Sequence, residues 1–146
     1  MGDVDVRPGF NLECTFKGHL SNVRGILRNP NNGHFISYDD KNLKSWTLDH
    51  GGNTAVVHSA TFPSYQSTFV TSLVLGTDIN MLFASCLDGN LRVYNDKLAL
   101  KSCMPWHVGL VRESLYNIKR QEIITAGSNG VKVSPWPMQT VIQAFM

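Results

Sequence analysis

The feature that most constrains this chain is a pattern of short apolar runs and polar turns that recurs along it. The runs contain three valines, Val23, Val70 and Val111, which lie 47 and 41 positions apart. Polar turn markers follow at nearly the same steps of 48 and 41 positions, at Asp40, Asp88 and Asn129. A fixed period of this length indicates a repeat architecture, in which each unit buries its apolar face only against a neighbour. Because the two sets of landmarks agree, the sequence predicts three copies of one unit.

The stretch from Gly18 to Leu48 shows what one unit contains. Its apolar runs cover 23–27, 34–38 and 43–48, and clusters of Asn, Asp and Gly separate them. Runs of about five residues between such clusters predict an antiparallel meander, since Gly and Asn accept the positive φ that tight hairpins require. A further strand is predicted over 55–62.

The other two units repeat this plan and set the predicted boundaries. Residues 1–11 are predicted to be an irregular lead-in, and 12–146 one repeat domain with units at about 18–62, 63–103 and 104–146. Strands are predicted at 12–16, at 69–75, 81–86, 91–95 and 98–103, and at 110–116, 122–126, 131–133 and 140–145. Pro135 and Pro137 require the strand over 131–133 to stop early or to lie at an edge.

The polar residues of the first unit recur at defined places. His19 precedes the first strand, Asp40 lies in the second turn and Trp46 lies in the third strand. An imidazole, a carboxylate and an indole N–H can satisfy one another, as polar groups within a packed sheet must.

Together these residues resemble the WD-repeat family, which is named for a Gly-His near the start of each repeat and a Trp-Asp near its end. Here the matching pairs are Gly18-His19 and Trp46-Thr47. The resemblance implies a β-propeller blade of four strands. It also implies a structural hydrogen-bond network of His, Asp, Trp and a strand-borne Ser or Thr, and the Ser/Thr position falls on Ile36.

The resemblance also implies which residues form the network in the other units. Unit two has Gln66 at the His position and Ala84 at the Ser/Thr position, whereas in unit three Trp136 is displaced by the prolines. The implied network residues are His19, Asp40, Trp46, Asp88, Tyr94, His107, Thr125 and Asn129.

The expected fold is therefore all-β: a partial propeller of about three four-stranded WD-repeat blades plus one orphan N-terminal outer strand over 12–16. A closed ring usually needs at least four blades. Three units leave apolar sheet faces at both ends. The chain is thus expected to be a piece of a longer propeller, a short isoform, or part of a ring completed by another chain.

Composition limits the class of protein. The chain has 146 residues, 42% of them apolar, and a net charge of +2, which indicates a folded domain and gives no electrostatic argument for nucleic acid or a membrane. Cys14, Cys86 and Cys103 form no paired motif, and no apolar run approaches the roughly 18 residues of a membrane span. These features predict a soluble intracellular protein, cytoplasmic or cytoskeletal and ciliary rather than nuclear.

Catalysis, metals and cofactors are not predicted. His19 and Asp40 lie near Ser21 and Ser37, but the chain lacks the G-x-S-x-G elbow of a serine hydrolase, and the repeat gives the His and Asp a structural role. The five histidines show no ligand spacing. Gly-rich phosphate-loop motifs are absent from the sequence.

The predicted function is a non-catalytic protein–protein interaction scaffold that uses the loops of the propeller, since such loops lie on a rigid support. The candidate partner-binding residues are Trp106, Tyr65, Asp39, Leu87 and Ser128. Trp106 has the alternative of being plain core. Two other functions stay open: an architectural fragment of a larger assembly, such as a ciliary or cytoskeletal complex, and a nucleic-acid-binding module. The predicted partners are other proteins, including further blades from a longer isoform or another chain.

Overall fold

The computed structural model describes residues 14–62 and 67–136, and these ranges contain strands and turns but no helix. In chain order the strands are β1 (Gly25–Arg28), β2 (Phe35–Tyr38), β3 (Asn42–Leu48), β4 (Thr54–Thr61), β5 (Val70–Gly76), β6 (Met81–Cys86), β7 (Asn90–Tyr94), β8 (Leu100–Pro105), β9 (Val111–Asn117), β10 (Glu122–Gly127) and β11 (Gly130–Pro135).

The strands form three antiparallel meanders in which spatial order follows chain order. Sheet one is β1-β2-β3-β4, sheet two is β5-β6-β7-β8, and sheet three is β9-β10-β11. The predicted all-β class with a repeated sheet is confirmed. Sheets one and three lie within predicted units, whereas the last strand of sheet two, β8, extends to Pro105, two residues past the predicted unit boundary at 103. The strand predicted at 140–145 lies outside the described residues.

The first hairpin of each sheet turns through a residue in the left-handed region. Gly33, Asn80 and Gln121 occupy these turns, with φ values of 76°, 54° and 49°. Glycine and asparagine adopt such values at little cost, whereas Gln121 does so less readily. Its side chain donates to Asp78 Oδ2 at 2.8 Å, and this bond helps to hold the turn.

Side chains on alternate strand positions fill two layers between the sheets. Sheets one and two enclose the larger layer, and sheets two and three enclose a smaller one around Phe83 and Ile123. The larger layer consists of Ile36, Tyr38, Leu43, Phe62, Val70, Leu82, Ala84, Cys86, Tyr94 and Leu98. Sheet two therefore contributes both of its faces to the core, which is why its central strands are buried almost throughout.

The three innermost strands lie side by side, with β5 between β1 and β9. Ser72 and Ser114 join β5 to β9 through a buried hydrogen bond of 2.6 Å between their hydroxyl groups. At the first-hairpin end of the sheets, Asn31 Nδ2 donates to the carbonyl of Thr77 at 2.8 Å. Together with the bond from Gln121 to Asp78, these contacts link each sheet to the next.

The strand predicted over 12–16 is not found in its described part. Residues 14–16 belong to no strand, and residues 12 and 13 lie outside the described ranges. The Phe16 ring instead stacks on the Trp46 indole, with centroids 4.5 Å apart. Residues 14–16 are therefore held by the packing of two large aromatic faces and not by the hydrogen bonds of a strand pair.

Two sheet faces are not covered by another sheet within the described residues. On sheet one, Ile26 and Val56 lie on the side away from sheet two, in register with Ser37 and Trp46. On sheet three, Leu115 and Val133 flank Ile124 on the side away from sheet two. Leu115 and Val133 are more than half exposed, as is Ile26. In the part of the chain that the structure describes, these outward faces are the two ends of the row of three blades.

Candidate interaction face and its histidine networks

A hydrogen-bonded network joins the lead-in of sheet one to its second hairpin. His19 Nδ1 lies 2.8 Å from Asp39 Oδ2, and His19 Nε2 lies 2.6 Å from Ser37 Oγ. The indole Nε1 of Trp46 donates to the same Ser37 hydroxyl at 3.1 Å. All four side chains are buried, so each polar group is satisfied by another member.

The chemistry of these groups fixes the direction of each hydrogen bond. An ionised carboxylate only accepts, so His19 Nδ1 carries a hydrogen and donates to Asp39. An indole N–H only donates, so Ser37 Oγ accepts from Trp46. In the tautomer with the hydrogen on Nδ1, His19 Nε2 accepts, so Ser37 gives its own hydrogen to it. The network is thus a one-way chain of hydrogen bonds, in which the indole donates to the hydroxyl, the hydroxyl to the imidazole and the imidazole to the carboxylate.

The structure corrects the predicted membership of this network. Asp40, the expected acceptor, lies on the surface and pairs with Arg24, while Asp39 takes the bond from His19. Ile36 belongs to the core, and the neighbouring Ser37 supplies the hydroxyl. Side chains alternate between the faces of a strand, so a shift of one position decides which residue reaches His19. Unit one therefore holds all four network members.

Asp39 is held as an anion by its surroundings. Burial alone would raise its pKa, but the backbone N–H of Lys41, the His19 ring and the backbone N–H of Asn42 together lower the pKa below its usual value. The two backbone N–H groups donate to Asp39 Oδ1 at 2.8 and 2.7 Å. The same carboxylate thus closes the hairpin turn and anchors the lead-in segment.

A second network of the same form lies in sheet three. His107 Nδ1 is 2.8 Å from Asn129 Oδ1, and His107 Nε2 is 2.7 Å from Thr125 Oγ1. The Thr125 hydroxyl also accepts from the indole Nε1 of Trp106 at 2.8 Å. The amide oxygen of Asn129 only accepts, so His107 Nδ1 carries a hydrogen, and in that tautomer Thr125 donates to His107 Nε2.

The indole of this second network comes from an unexpected place. In sheet one, Trp46 lies opposite Phe35 in the strand pair, and the corresponding residue opposite Ile123 in sheet three is Ser134. Trp106, directly before the histidine, fills the position from the loop instead. Trp136 packs edge-to-face against Phe83 of the sheet-two core, with centroids 5.2 Å apart.

In sheet two, the turn residue Asp88 forms an ion pair with an arginine of the next strand. Asp88 accepts both guanidinium branches of the buried Arg92, at 3.2 and 3.0 Å, and its backbone N–H donates to the Thr68 hydroxyl at 3.2 Å. Gln66, expected at the His position, lies outside the described residues. Ala84, the residue predicted at the Ser/Thr position, lies at the place of Ser37 and Thr125 in the register, so sheet two has no hydroxyl group there. The next residue, Ser85, points to the other face of β6, and its hydroxyl is buried without a partner among the described residues.

Tyr94, the residue expected at the Trp position of unit two, is a core residue. It is buried between sheets one and two, and this burial raises the pKa of its hydroxyl well above the ordinary value. Nearby, Cys86 is fully buried, and burial raises the pKa of its thiol to about 11. Both groups therefore remain neutral at physiological pH.

The loops at the histidine end of the sheets hold one another in place. The carbonyl of Gly89 accepts from the backbone N–H groups of Trp106 and His107, at 3.0 and 2.9 Å. A Cβ on Gly89 would lie 2.0 Å from the His107 carbonyl oxygen, and its φ is +84°, so only glycine fits there. The Arg24 guanidinium lies 4.1 Å from the centroid of the Phe69 ring and joins the loops of sheets one and two.

We call this end of the molecule the network face, formed by residues 17–24, 39–41, 67–69, 87–89, 106–110 and 128–129. Its most exposed apolar side chains follow the two network histidines directly: Leu20 is 96% exposed and Val108 is 82% exposed. The sequence pattern that located His19 and His107 also locates Leu20 and Val108, which directly follow them. Nothing in the composition, however, indicates that these two residues bind a partner.

The predicted partner-binding residues fall into different environments. Leu87 and Ser128 are exposed on the network face, and Trp106 is half-buried because its indole is bound within the network. Asp39 was wrongly predicted to be available to a partner: it is fully buried, since its oxygens are used by His19 and the turn. Tyr65 lies outside the described residues.

Residues 14–62 and 67–136 contain no cluster of three or more His, Cys, Asp or Glu side chains that could hold a metal ion. Nor do they contain a helix that is long and apolar enough to span a membrane.

Comparison with protein families gives a clear match. The model described as "WD domain, G-beta repeat" matches residues 10–47 and 56–95, together more than half of the chain. No curated protein sequence matches the chain as a relative.

Several solved structures share the fold. The C-terminal WD40 domain of Sif2 superposes with a TM-score of 0.65 at 17% identity, over 79% of this chain and 34% of that one. U3-55K superposes with a TM-score of 0.70 at 14% identity, over 82% and 38% respectively. The RRP9 WD40 repeats give a TM-score of 0.70 at 14% identity, over 82% and 37%. The chain thus spans little more than a third of each, and the three sheets are arranged as blades of a propeller.

Proposed function

The chain belongs to the WD40 family, the WD domain with G-beta repeats, and from this premise we propose that it is a non-catalytic scaffold that binds another protein through the network face. WD40 domains generally mediate protein–protein interaction or assembly. The finer assignment, to this face and these residues, is our proposal.

One observation carries the proposal: exposed apolar side chains directly follow two histidines whose own side chains are buried and hydrogen-bonded. Leu20 follows His19 and Val108 follows His107, and both histidines are fixed by two hydrogen bonds each. Because these bonds hold the neighbouring histidines in place, little backbone entropy is lost when a partner covers the apolar side chain that follows. Such positions are suited to act as anchors.

The same face offers further contacts of the kind that surround an anchor. Leu87 is 37% exposed and lies in the loop that Gly89 joins to Trp106. Ser128 is exposed beside Asn129, and Lys132 donates to the carbonyl of Trp106. A partner with two apolar side-chain pockets and polar groups at their rim fits this surface.

Affinity capture with the intact chain tests the proposal. Proteins retained by the wild type should be lost when Leu20→Ser and Val108→Ser are combined, because both exposed anchors are removed without changing a network residue. The matched control is Ile118→Ser, which removes an apolar side chain that is 50% exposed at the opposite end of sheet three.

Equal capture by the wild type and the Leu20→Ser/Val108→Ser variant would contradict this assignment. Loss of folding is monitored separately by circular dichroism. Retention on heparin that falls with added salt, with no captured protein, would instead favour the nucleic-acid-binding alternative.

The architectural alternative has an observation of its own. The outward faces of sheets one and three expose Ile26, Leu115 and Val133, and the chain spans little more than a third of the WD40 structures it resembles. Further blades, from a longer form or from another chain, would cover these faces. In that case Leu115→Glu with Val133→Glu should abolish assembly, while Leu20→Ser should leave it unchanged.

A further inference from the structure

The outer edges of the three sheets differ in their protection against strand pairing. In the described residues, β4, β8 and β11 each pair on one side only. Natural sheets block such edges with lysine and proline. β8 contains Lys101 and Pro105, and β11 contains Lys132 and Pro135, whereas the eight residues of β4 contain neither residue type and no charged side chain.

The backbone of β4 shows which of its groups point away from sheet one. The N–H of Phe62 donates to the carbonyl of Lys41, and the carbonyl of Asn53 accepts from Asp49, so both residues face inward at the ends of the strand. Strand residues alternate in direction, and a bulge at Val57 interrupts the alternation. The residues whose N–H and C=O groups point outward are therefore Thr54, Val56, Ser59 and Thr61.

The sequence of β4 is complementary to its own reverse. Reading T-A-V-V-H-S-A-T from both ends pairs Thr54 with Thr61, Ala55 with Ala60, and Val56 with Ser59. We propose that two copies of this chain pair through β4 in antiparallel orientation, about a two-fold axis between Val57 and His58. Sheet one of each copy then continues into sheet one of the other.

This register satisfies the backbone of both copies. It places Thr54 opposite Thr61 of the second copy, and Val56 opposite Ser59 of the second copy, so every outward-facing residue meets another. Residues paired in this way exchange two N–H···O=C bonds. The bulge residue Val57 of each copy lies opposite His58 of the other, so the step from Val56 to Ser59 has the same length on both strands and the ladder keeps its spacing.

Side-chain chemistry favours the same arrangement. Thr–Thr and Val–Ser pairs are compatible neighbours across two strands, and no two like charges meet because β4 has none. A two-fold axis also limits the assembly to two chains, because the free edge of β4 is then paired in both copies.

Sedimentation equilibrium on the intact chain tests the pairing. The wild type is expected to show a monomer–dimer equilibrium. Val56→Lys with Ser59→Lys places lysines opposite each other twice across the axis and should weaken the dimer about tenfold or more. Val56→Lys with Ser59→Glu places Lys opposite Glu twice, and should restore the dimer in low salt but not in high salt.

Two controls separate this interface from others. Leu115→Glu with Val133→Glu changes the outward face of sheet three and should leave the dimer unchanged. Ser59→Pro removes only an outward-facing N–H, so it should give a folded monomer even if the lysine variant fails to fold. A wild type that stays monomeric at every concentration, equal weakening by the Lys/Lys and Lys/Glu variants, or a dimer lost through the sheet-three variant would each overturn the proposal.

Discussion

Sheets one and three reach the same hydrogen-bonded arrangement with different parts. In sheet one the acceptor of the histidine is a carboxylate, Asp39, and in sheet three it is an amide, Asn129. The indole comes from strand β3 in sheet one, through Trp46, and from the loop before β9 in sheet three, through Trp106. The position of the hydroxyl group in the central strand is the same in both.

The comparison shows which features the two networks share and which they exchange. A hydroxyl between an imidazole and an indole recurs in both networks, so the central strand and the histidine form the fixed part. The acceptor and the indole need only reach the right points in space. The sheet-one network carries a buried charge and the sheet-three network does not, and this difference governs how each should respond to mutation and pH.

The largest expected difference concerns the two tryptophans. Trp46 is 8% exposed and lies between the rings of Phe16 and Phe35, with centroids at 4.5 and 4.9 Å. We expect Trp46→Ala to lower the free energy of unfolding by about 3–5 kcal/mol, through the loss of this packing and of a hydrogen bond.

Trp106→Ala provides the comparison, because this indole makes the same hydrogen bond but is only half-buried. Its expected cost is smaller, about 2 kcal/mol. Urea unfolding of both variants measures the difference. A change below about 1 kcal/mol for Trp46→Ala would show that the stacked arrangement contributes little.

An intermediate effect is expected from two adjacent aspartates in sheet one. Asp39→Ala leaves the Nδ1–H of His19 and two backbone N–H groups without their buried acceptor, which should cost about 2–4 kcal/mol. Asp40→Ala removes only an exposed pair with Arg24 and should cost less than about 1 kcal/mol. Similar losses for both variants in urea unfolding would refute the assignment of Asp39 to the network.

The smallest expected effect is a difference in acid sensitivity between the two networks. The pKa of Asp39 is lowered in the folded state, so its contribution to stability is present above about pH 4 and is lost as the pH falls through the folded pKa. Asp39→Asn should therefore be less stable than the wild type near neutrality by about 1 kcal/mol. The gap should close towards pH 3.

The reciprocal variant sharpens this test. Asn129→Asp gives sheet three a carboxylate beside His107, so its stability should fall more steeply than that of the wild type below pH 4. Unfolding in urea at a series of pH values measures both variants. A constant gap between Asp39→Asn and the wild type at all pH values would contradict an ionised Asp39.

The repeat, the strands and their order could be read from the sequence because apolar alternation and turn residues act locally. The choice between Asp39 and Asp40 could not be predicted in this way. Ser37 pairs with Lys44 in sheet one as Thr125 pairs with Lys132 in sheet three, so the chain segments between the paired residues have the same length.

The strand pairing ends sooner after the hydroxyl residue in sheet one than in sheet three. The residue that accepts the histidine bond is therefore the second after the hydroxyl residue in sheet one, Asp39, and the fourth in sheet three, Asn129.

The sequence also could not show that a loop residue, Trp106, supplies the indole in sheet three in place of a residue of the third strand. A template based on spacing looks for the indole within the third strand, and there it finds Ser134 and the proline-flanked Trp136 in sheet three. Trp106 reaches Thr125 only because the loop bonds to Gly89 of the preceding sheet bring it there. Contacts between loops of neighbouring units leave no periodic signal in one chain.

The tautomers of the two network histidines test the central claim most directly, and long-range ¹H–¹⁵N NMR spectra can measure them. The account predicts that Nδ1 of His19 and of His107 carries the hydrogen and that Nε2 accepts one, with Nδ1–H in slow exchange with water, while the exposed His50 exchanges rapidly. Hydrogen on Nε2 of either residue, or averaging of both with solvent as for His50, would contradict the one-way chain from indole to acceptor.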